Sequence, residues 1–256
     1  MQELKILTFN IRCSYDGDGI NSFIHRSGFI IDKINGERPH IICFQEVTDK
    51  IRLFLNKALT DYIIVGHGRE KNYDGEGISI AYRKDCMILH SLEHFWLSPT
   101  PFVPASRYEE QSRYPRICTV AGLKHVDCRT PIRVYGVHLD NISDKARALG
   151  MEQLLNKLSQ DNAEIAYPFV LLGDFNSEPQ GKAIEMCNNS QAPKMVDVTT
   201  NEPTFHGFGK CERKIDYIFF DADTAQNVRN VQRWTEQRDG IYLSDHYPIS
   251  CTVELE

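Results

Sequence analysis

Apolar residues along the chain follow two spacings, one typical of β-strands and the other of α-helices. Short apolar runs predict strands, and they cover residues 4–10, 41–44, 77–83, 87–96, 117–124, 132–139, 167–173, 215–220 and 249–253. Apolar residues three and four positions apart predict helices at 22–35, 48–59 and 143–158, for which Thr48 and Ser143 are suitable N-caps. Four prolines between residues 99 and 115 indicate a long surface loop, and Lys84-Asp85 indicates a turn.

The order of these elements predicts the fold class. It begins as strand–helix–strand–helix, becomes rich in strands, and ends by repeating strand–helix–strand. This order favours an α/β protein in which a two-layer β-sandwich is flanked by helices, and we expect a single domain over residues 1–256. A Rossmann domain is excluded because no GxGxxG sequence follows the first strand, and several strands are too close together for crossover helices.

Composition and charge narrow the class of protein. Hydrophobic residues make up 41% and charged residues 25%, which suits an ordinary soluble core, and the apolar runs are too short to span a membrane. The eight cysteines are scattered without a CxxC pair, and MQELKILTFN has no signal-peptide pattern. We therefore expect reduced, mostly buried thiols in a cytoplasmic monomer. The net charge of −6 argues against a protein that coats DNA.

Polar side chains mark one end of six apolar segments. Strand ends at one edge of a layered α/β fold lie close together and build its site. Side chains two apart on a strand share a face, so Asp174 and Asn176 should point into one pocket while Phe175 turns to the core. The polar set comprises Asn10, Glu46, His138, Asp174, Asn176, Asp216, Asp245 and His246.

A cluster with several carboxylates indicates a cation. Crowded carboxylates raise one another's pKa and destabilise the fold unless a cation joins them. Mg²⁺ prefers oxygen ligands and takes one or two carboxylates, whereas imidazoles suit acid–base chemistry. Taken singly, each motif has an ordinary explanation, since a lone GDxN is usually a turn and Asp-His before Tyr-Pro could form a loop with a helix cap. Their occurrence together at successive strand ends favours a functional site.

The motifs TFN, QEV, GVHLD, GDFNSEP, KIDYIF and SDHYP occur in this order from Thr8 onward. In these motifs nearly the whole chain resembles the endonuclease/exonuclease/phosphatase superfamily, with a layout similar to that of the mRNA deadenylases. The resemblance implies a DNase I-like fold with four layers, α/β/β/α. It also implies a hydrolase of phosphoesters with Mg²⁺ as cofactor and Mn²⁺ as the alternative ion.

The resemblance assigns roles to the residues at the strand ends. Glu46 resembles the main Mg²⁺ ligand, with Asn10 and Asp245 beside the metal. Asp174 and Asn176 would orient the attacking water and contact the phosphate.

Two histidines complete the set that the resemblance implies. His246, paired with Asp216, would activate the nucleophile or bind a phosphoryl oxygen, and the motifs leave open whether Asp174 or His246 is the general base. His138 places the chain near the histidine branch of the family, in which a glutamate of an earlier strand pairs with that histidine. Glu76 matches the spacing of that glutamate, and its alternative is an exposed charge in a turn.

Residues outside the motifs bear on the substrate. In deadenylases an aromatic residue before the KIDYIF-type strand stacks on a base, and Phe205 or Phe208 could do so here, although one of them could instead pack beneath the loop. Three arginines in or beside the proline-bearing loop could hold a second phosphate or merely interact with solvent: Arg107, Arg113 and Arg116.

We therefore expect a phosphodiesterase or nuclease acting on RNA, DNA or a nucleotide-like substrate. Its partners would be the phosphoester and single-stranded nucleic acid, with no membrane association. The alternative within this class is a phosphomonoesterase of a small phosphorylated metabolite. A catalytically silent binding protein is disfavoured because each motif retains its functional side chain.

Overall fold

The computed structural model describes residues 2–256. Its strands are β1 (Gln2–Asn10), β2 (Ile41–Val47), β3 (Tyr62–Gly68), β4 (Gly77–Arg83), β5 (Met87–Trp96), β6 (Ile117–His125), β7 (Ile132–His138), β8 (Phe169–Asp174), β9 (Met195–Asp197), β10 (Asp216–Asp221), β11 (Val228–Arg233), β12 (Gln237–Arg238), β13 (Ile241–Tyr242) and β14 (Ile249–Leu255). Its α-helices are α1 (Phe23–Glu37), α2 (Asp49–Ala58), α3 (Asp144–Glu164), α4 (Lys182–Asn189) and α5 (Ala222–Ala225).

Twelve strands form two six-stranded sheets that pack face to face. The first sheet has the order β11-β14-β1-β2-β4-β3 and the second the order β5-β6-β7-β8-β10-β9. Ile6 and Ile80 of the first sheet meet Val134 and Leu172 of the second in the central core. Helices α1 and α2 cover the outer face of the first sheet, while α3 and α4 cover that of the second. The predicted α/β/β/α layering is therefore confirmed.

Each predicted strand and helix is present, with small changes at the ends. The side chains of Thr48 and Ser143 accept hydrogen bonds from the backbone N–H of Ile51 and Ala146, as N-caps do. The predicted turn at Lys84-Asp85 joins β4 to β5, which lie in different sheets, so the chain crosses the sandwich there. Strands β3, β9, β11, β12 and β13 and helices α4 and α5 were not predicted. Of these strands, β3, β9 and β11 lie at the edges of the two large sheets.

One edge of the sandwich collects the ends of the central strands. Strands β1 and β2 are parallel, as are β7 and β8, so their carboxyl ends meet at the same edge. His138 is in register with Asp174, and Asp216, the first residue of antiparallel β10, pairs with Asp174 from the other side. The register therefore places three of the predicted functional side chains together.

The structure describes the state of the cysteines and the character of the helices. All eight cysteines are free thiols, and five of them are buried. Among residues 2–256, none of the helices combines the length and apolarity needed to cross a membrane.

Candidate active site

Asp174 lies at the centre of the site, at the end of β8. Its Oδ1 accepts a hydrogen bond from the backbone N–H of Asn176 at 2.8 Å, and its Oδ2 accepts one from Asn10 Nδ2 at 3.0 Å. Burial and the neighbouring carboxylate of Asp216 raise the pKa of Asp174 to about 7. This carboxyl group can therefore gain or lose a proton near neutral pH.

Asn176 reaches the same cleft as Asp174, but by a different route from the one predicted. The strand ends at Asp174, and Asn176 has a left-handed φ of 47°, so the turn and not the strand pleat sets its direction. Its Nδ2 donates to the carbonyl of Leu139 at 3.1 Å, which leaves the second N–H of the amide free. Phe175 is fully buried, as expected.

A β-bulge directs Glu46 into the site. The register between β2 and β4 shifts between Phe44 and Val47, and Glu46 within this bulge has a φ of 61°. Its Oε2 accepts from the backbone N–H of Cys13 at 2.9 Å. Burial alone would raise the pKa of Glu46, but the Cys13 amide and nearby positive charges outweigh it and hold the pKa below the usual value. Glu46 is thus kept as a carboxylate.

Asn10 joins two carboxylates through its amide nitrogen. Nδ2 donates to Glu46 Oε1 at 3.2 Å and to Asp174 Oδ2 at 3.0 Å. Its Oδ1 accepts from the backbone N–H of Arg12 at 3.0 Å, and this contact fixes the orientation of the amide. Asn10 therefore holds the two carboxylates together through Nδ2, while its Oδ1 is engaged by the backbone.

His246 forms a tight pair with Asp216. Its Nδ1 lies 2.8 Å from Asp216 Oδ2, and its Nε2 lies 3.7 Å from Asp174 Oδ2. Burial would lower the pKa of His246, but the charge of Asp216 and its hydrogen bond raise it to about 10. Thr204 Oγ1 donates to the same Asp216 oxygen at 2.6 Å, so the acid is fixed as well.

The predicted pair between Glu76 and His138 does not form. Glu76 Oε2 instead lies 2.8 Å from Arg69 Nη2, an arginine in the turn that follows β3. His138 Nε2 faces Asp174 Oδ2 at 3.4 Å. Burial, and then the charge of Arg116, hold the pKa of His138 well below its ordinary value, so this ring stays neutral. The guanidinium is a stronger partner for a carboxylate than a neutral imidazole.

Asp245 lies beside Arg12. Its Oδ2 is 3.7 Å from Arg12 Nε, while Arg12 itself makes a two-fold contact with Asp18. Burial raises the pKa of Asp245 even though His246 opposes the shift.

Most of these side chains line one cleft of about 390 Å³, whereas Asn10 and Asp216 are not part of its lining. Phe205 lines the cleft, and its ring centroid lies 4.8 Å from that of His246. Phe208 does not line it; it packs against His206 and Tyr242 instead. The predicted role of Phe208 in substrate binding is therefore not supported, because positive φ values at residues 207–209 turn this ring away.

The donor set of the cleft suits a hard divalent cation. Glu46, Glu76 and Cys13 place ligand atoms within 4.8 Å of one another, and burial raises the pKa of the Cys13 thiol, so the carboxylates are the available ligands. Asp174, Asp216 and His246 also approach within 4.8 Å. In that group the Asp216–His246 hydrogen bond already occupies two of the donor atoms. A cation such as Mg²⁺ or Mn²⁺, which prefers oxygen ligands, therefore fits best at Glu46.

Several cleft residues were not predicted from the sequence. Arg12, Arg69, Tyr114 and Arg213 all line the cleft. Arg12 stands two residues after the TFN motif, and that position was the available signal. The others lie in connecting segments, where spacing gives no information about direction.

Comparisons with known proteins identify the family and the fold. A model of the Endonuclease/Exonuclease/phosphatase family matches residues 7–246. An endonuclease/exonuclease/phosphatase from Bacteroides vulgatus is 25% identical, with a TM-score of 0.91 over 100% of both chains. A functionally unknown conserved protein from Enterococcus faecalis V583 is 30% identical, with a TM-score of 0.86 over 99% of this chain and 100% of that one.

A third solved structure, the mannosyl-6-phosphatase of Bacteroides thetaiotaomicron VPI-5482, is 24% identical, with a TM-score of 0.84 over 98% of this chain and 100% of that one. No curated protein matches the sequence. The predicted DNase I-like fold is confirmed by the structural similarity, and members of the matched family hydrolyse phosphoesters. Because the family model matches almost the entire length, the chain belongs to the endonuclease/exonuclease/phosphatase family.

Proposed function

We propose that this protein is a divalent-metal-dependent phosphoester hydrolase and that its substrates are phosphodiesters of RNA, DNA or a related nucleotide. The observation that supports this best is the composition of the cleft, which is lined by four carboxylates and two imidazoles. Such a set is costly to maintain without a cation, and it provides the groups that water attack on a phosphate requires.

Asp174 is the residue best placed to orient the attacking water. Hydrogen bonds from Asn10 and Asn176 fix its carboxylate, and each oxygen keeps a further lone pair for the water. In the proposed step, the water oxygen forms the new bond to phosphorus while the ester oxygen leaves, and the proton of the water passes to Asp174. The leaving oxygen takes a proton from solvent.

His246 and Asn176 would bind the phosphoryl oxygens. Asp216 holds His246 through Nδ1 at 2.8 Å, so Nε2 is available to donate toward the cleft. The free N–H of Asn176 can donate to a second oxygen. Donors that are fixed before the reaction stabilise developing charge at little reorganisation cost.

Glu46 would hold the metal, with Asp245 beside it, and a bound divalent cation would offset negative charge on the phosphoryl oxygens. Both carboxylates line the cleft.

Phe205 supports a substrate with a base or another flat group. Its ring is beside His246 and only partly buried, and stacking of a base on an aromatic ring contributes about 1–3 kcal/mol. Because the chain carries a net charge of −6, single strands or small nucleotides suit it better than long duplexes.

The alternative is a phosphomonoesterase of a small phosphorylated metabolite. The cleft volume of about 390 Å³ favours this phosphomonoesterase function, since it lies in the range of small-molecule sites.

A substrate panel decides between the two. Purified protein with Mg²⁺ would be tested on 5′-labelled poly(A) RNA, single- and double-stranded DNA, bis-p-nitrophenyl phosphate and several phosphomonoesters. We expect turnover of the diesters, with single-stranded RNA or DNA preferred. Turnover of monoesters alone would establish the alternative, and no turnover of any substrate would contradict the proposal.

A matched pair of variants assigns any activity to the cleft. Asp174→Asn should lower kcat by about 10²–10⁴-fold, as expected for loss of an acid–base group. Asp161→Asn is the control. Asp161 lies on α3, where its carboxylate accepts hydrogen bonds from Tyr135 and Lys157, and it does not line the cleft. Equal activity of the two variants would show that a contaminant or another site hydrolyses the substrate.

A further inference from the structure

Two arginines at one end of the cleft are almost completely buried. Arg69 is 5% exposed and Arg116 is 4% exposed, and both line the cleft. A buried guanidinium normally finds partners for most of its five N–H groups.

These two guanidinium groups lack such partners. Arg116 Nη2 donates to Asn141 Oδ1 at 3.0 Å, but within residues 2–256 its Nε and Nη1 are buried without a hydrogen-bond partner. Arg69 Nη2 bonds Glu76, whereas its Nε is also buried without a hydrogen-bond partner among residues 2–256. The ring of Tyr114 lies over Arg69 at 5.0 Å.

The nearest carboxylate forms an ion pair with Arg116 but no hydrogen bond. Asp140 Oδ2 lies 3.9 Å from Arg116 Nε, beyond hydrogen-bond distance, and it accepts instead from Ser112. Burial and the charge of Arg69 lower the pKa of Arg116 to about 10. An unpaired buried donor destabilises a fold, so the two guanidinium groups lack partners that a bound anion would supply.

The structure also provides a space beside the two side chains. The polar side chains that border a small void of about 10 Å³ are those of Glu46, Arg69, Glu76, Arg116 and His138, and this volume is close to that needed by one water-sized atom. All five residues also line the main cleft, so an oxygen atom of a group bound in the cleft could occupy the void.

We propose that Arg69 and Arg116 form a second anion subsite, which binds a phosphate group of the substrate other than the one that is hydrolysed. The subsite adjoins the reaction centre, because Glu76 is bonded to Arg69 and comes within 4.8 Å of Glu46. This inference rests on the proposed function in that the reaction centre cleaves a phosphoester. It assigns the substrate to molecules that carry two phosphates.

The subsite can be tested without catalysis. Inorganic phosphate is titrated into the protein in a calorimeter, in buffer that contains EDTA to remove divalent metal. Without the metal, the carboxylates of the reaction centre repel phosphate. We expect wild type to bind, and Arg116→Gln and Arg69→Gln each to weaken binding at least about tenfold. Arg107→Gln is the control, since Arg107 is exposed in the same loop and donates only to loop carbonyls. Absence of phosphate binding by wild type, or unchanged affinity in folded Arg116→Gln and Arg69→Gln, would overturn the proposal.

Matched substrates then identify the source of the second phosphate. The dinucleotides pApA and ApA differ only in a 5′-phosphate, and fructose 1,6-bisphosphate and fructose 6-phosphate differ only in one phosphate. For whichever pair is hydrolysed, Arg116→Gln should lower kcat/KM at least about tenfold for the doubly phosphorylated member alone. Equal losses on both members would overturn the subsite. No turnover of any of the four would count against the proposed function, and the calorimetry would still decide the subsite.

Discussion

Arg26 of helix α1 is a fully buried cation that joins the segments around the site. Its guanidinium donates to four backbone carbonyls, those of Ile11, Arg12, Asn21 and Leu243, at 2.6–3.1 Å. These carbonyls belong to the loop after β1 and to the segment before Asp245-His246. We predict that Arg26→Met destabilises the fold strongly.

The expected size follows from these four contacts. Hydrogen bonds from charged donors contribute about 1.5–3 kcal/mol each, but deleting the guanidinium also removes its own desolvation cost. The net loss in the free energy of unfolding should therefore be about 3–5 kcal/mol. For a chain of 256 residues, an unfolding entropy of about 2.1 cal/mol/K per residue converts this into a fall in Tm of about 6–9 °C.

Urea unfolding monitored by circular dichroism measures this change directly. The midpoint should fall without a change in the slope. Arg229→Met is the matched control, because Arg229 also donates to two backbone carbonyls but is exposed on β11, and its effect should stay below about 1 kcal/mol. A loss below about 1 kcal/mol for Arg26→Met would refute the view that this side chain holds the two segments together.

Three further outcomes follow from the site and its surroundings. Asp216→Asn removes the charge that holds its histidine partner, so kcat should fall by about 10²–10⁴-fold while circular dichroism stays unchanged; unchanged kcat would exclude that pair from catalysis. Phe205→Ala should raise KM for nucleotide substrates, whereas Phe208→Ala should alter Tm and leave KM unchanged; the reverse pattern would show that the rings have exchanged roles. Burial lowers the pKa of His40 and of His94 to about 4. The unfolded chain therefore binds more protons than the folded one between about pH 6.5 and 4, so stability should fall as pH falls through this window, by at most about 1.4 kcal/mol per pH unit per group. Unfolding of wild type and His94→Gln across this range checks this, and an identical slope would contradict it.

The layers and the location of the site could be predicted because they depend on local patterns. Strands that are buried on both faces consist of apolar runs, and polar residues at the ends of these runs, such as Glu46 and Asp174, are easy to recognise in the sequence. The parallel pairs β1–β2 and β7–β8 then bring those ends to one edge. The N-caps at Thr48 and Ser143 were readable for the same reason.

Partners and directions could not be predicted, because they depend on long-range geometry. Spacing placed Glu76 at the start of a strand, but it could not show that Arg69, across the β3–β4 turn, would reach it before His138 does. Phe205 and Phe208 are three residues apart in one loop, and only the backbone angles decide which ring enters the cleft. Arg26, a charged residue in a helix, gives no sequence signal of being fully buried.

The central claim is that the cleft hydrolyses phosphoesters with a bound divalent cation. The most direct measurement is a Mg²⁺ titration of bis-p-nitrophenyl phosphate hydrolysis from an EDTA-treated start, for wild type and Glu46→Gln. We predict no turnover without metal, saturable recovery with Mg²⁺ in wild type, and a requirement for at least about tenfold more Mg²⁺ in Glu46→Gln. Turnover that persists in EDTA, or identical Mg²⁺ dependence of the two proteins, would contradict the account.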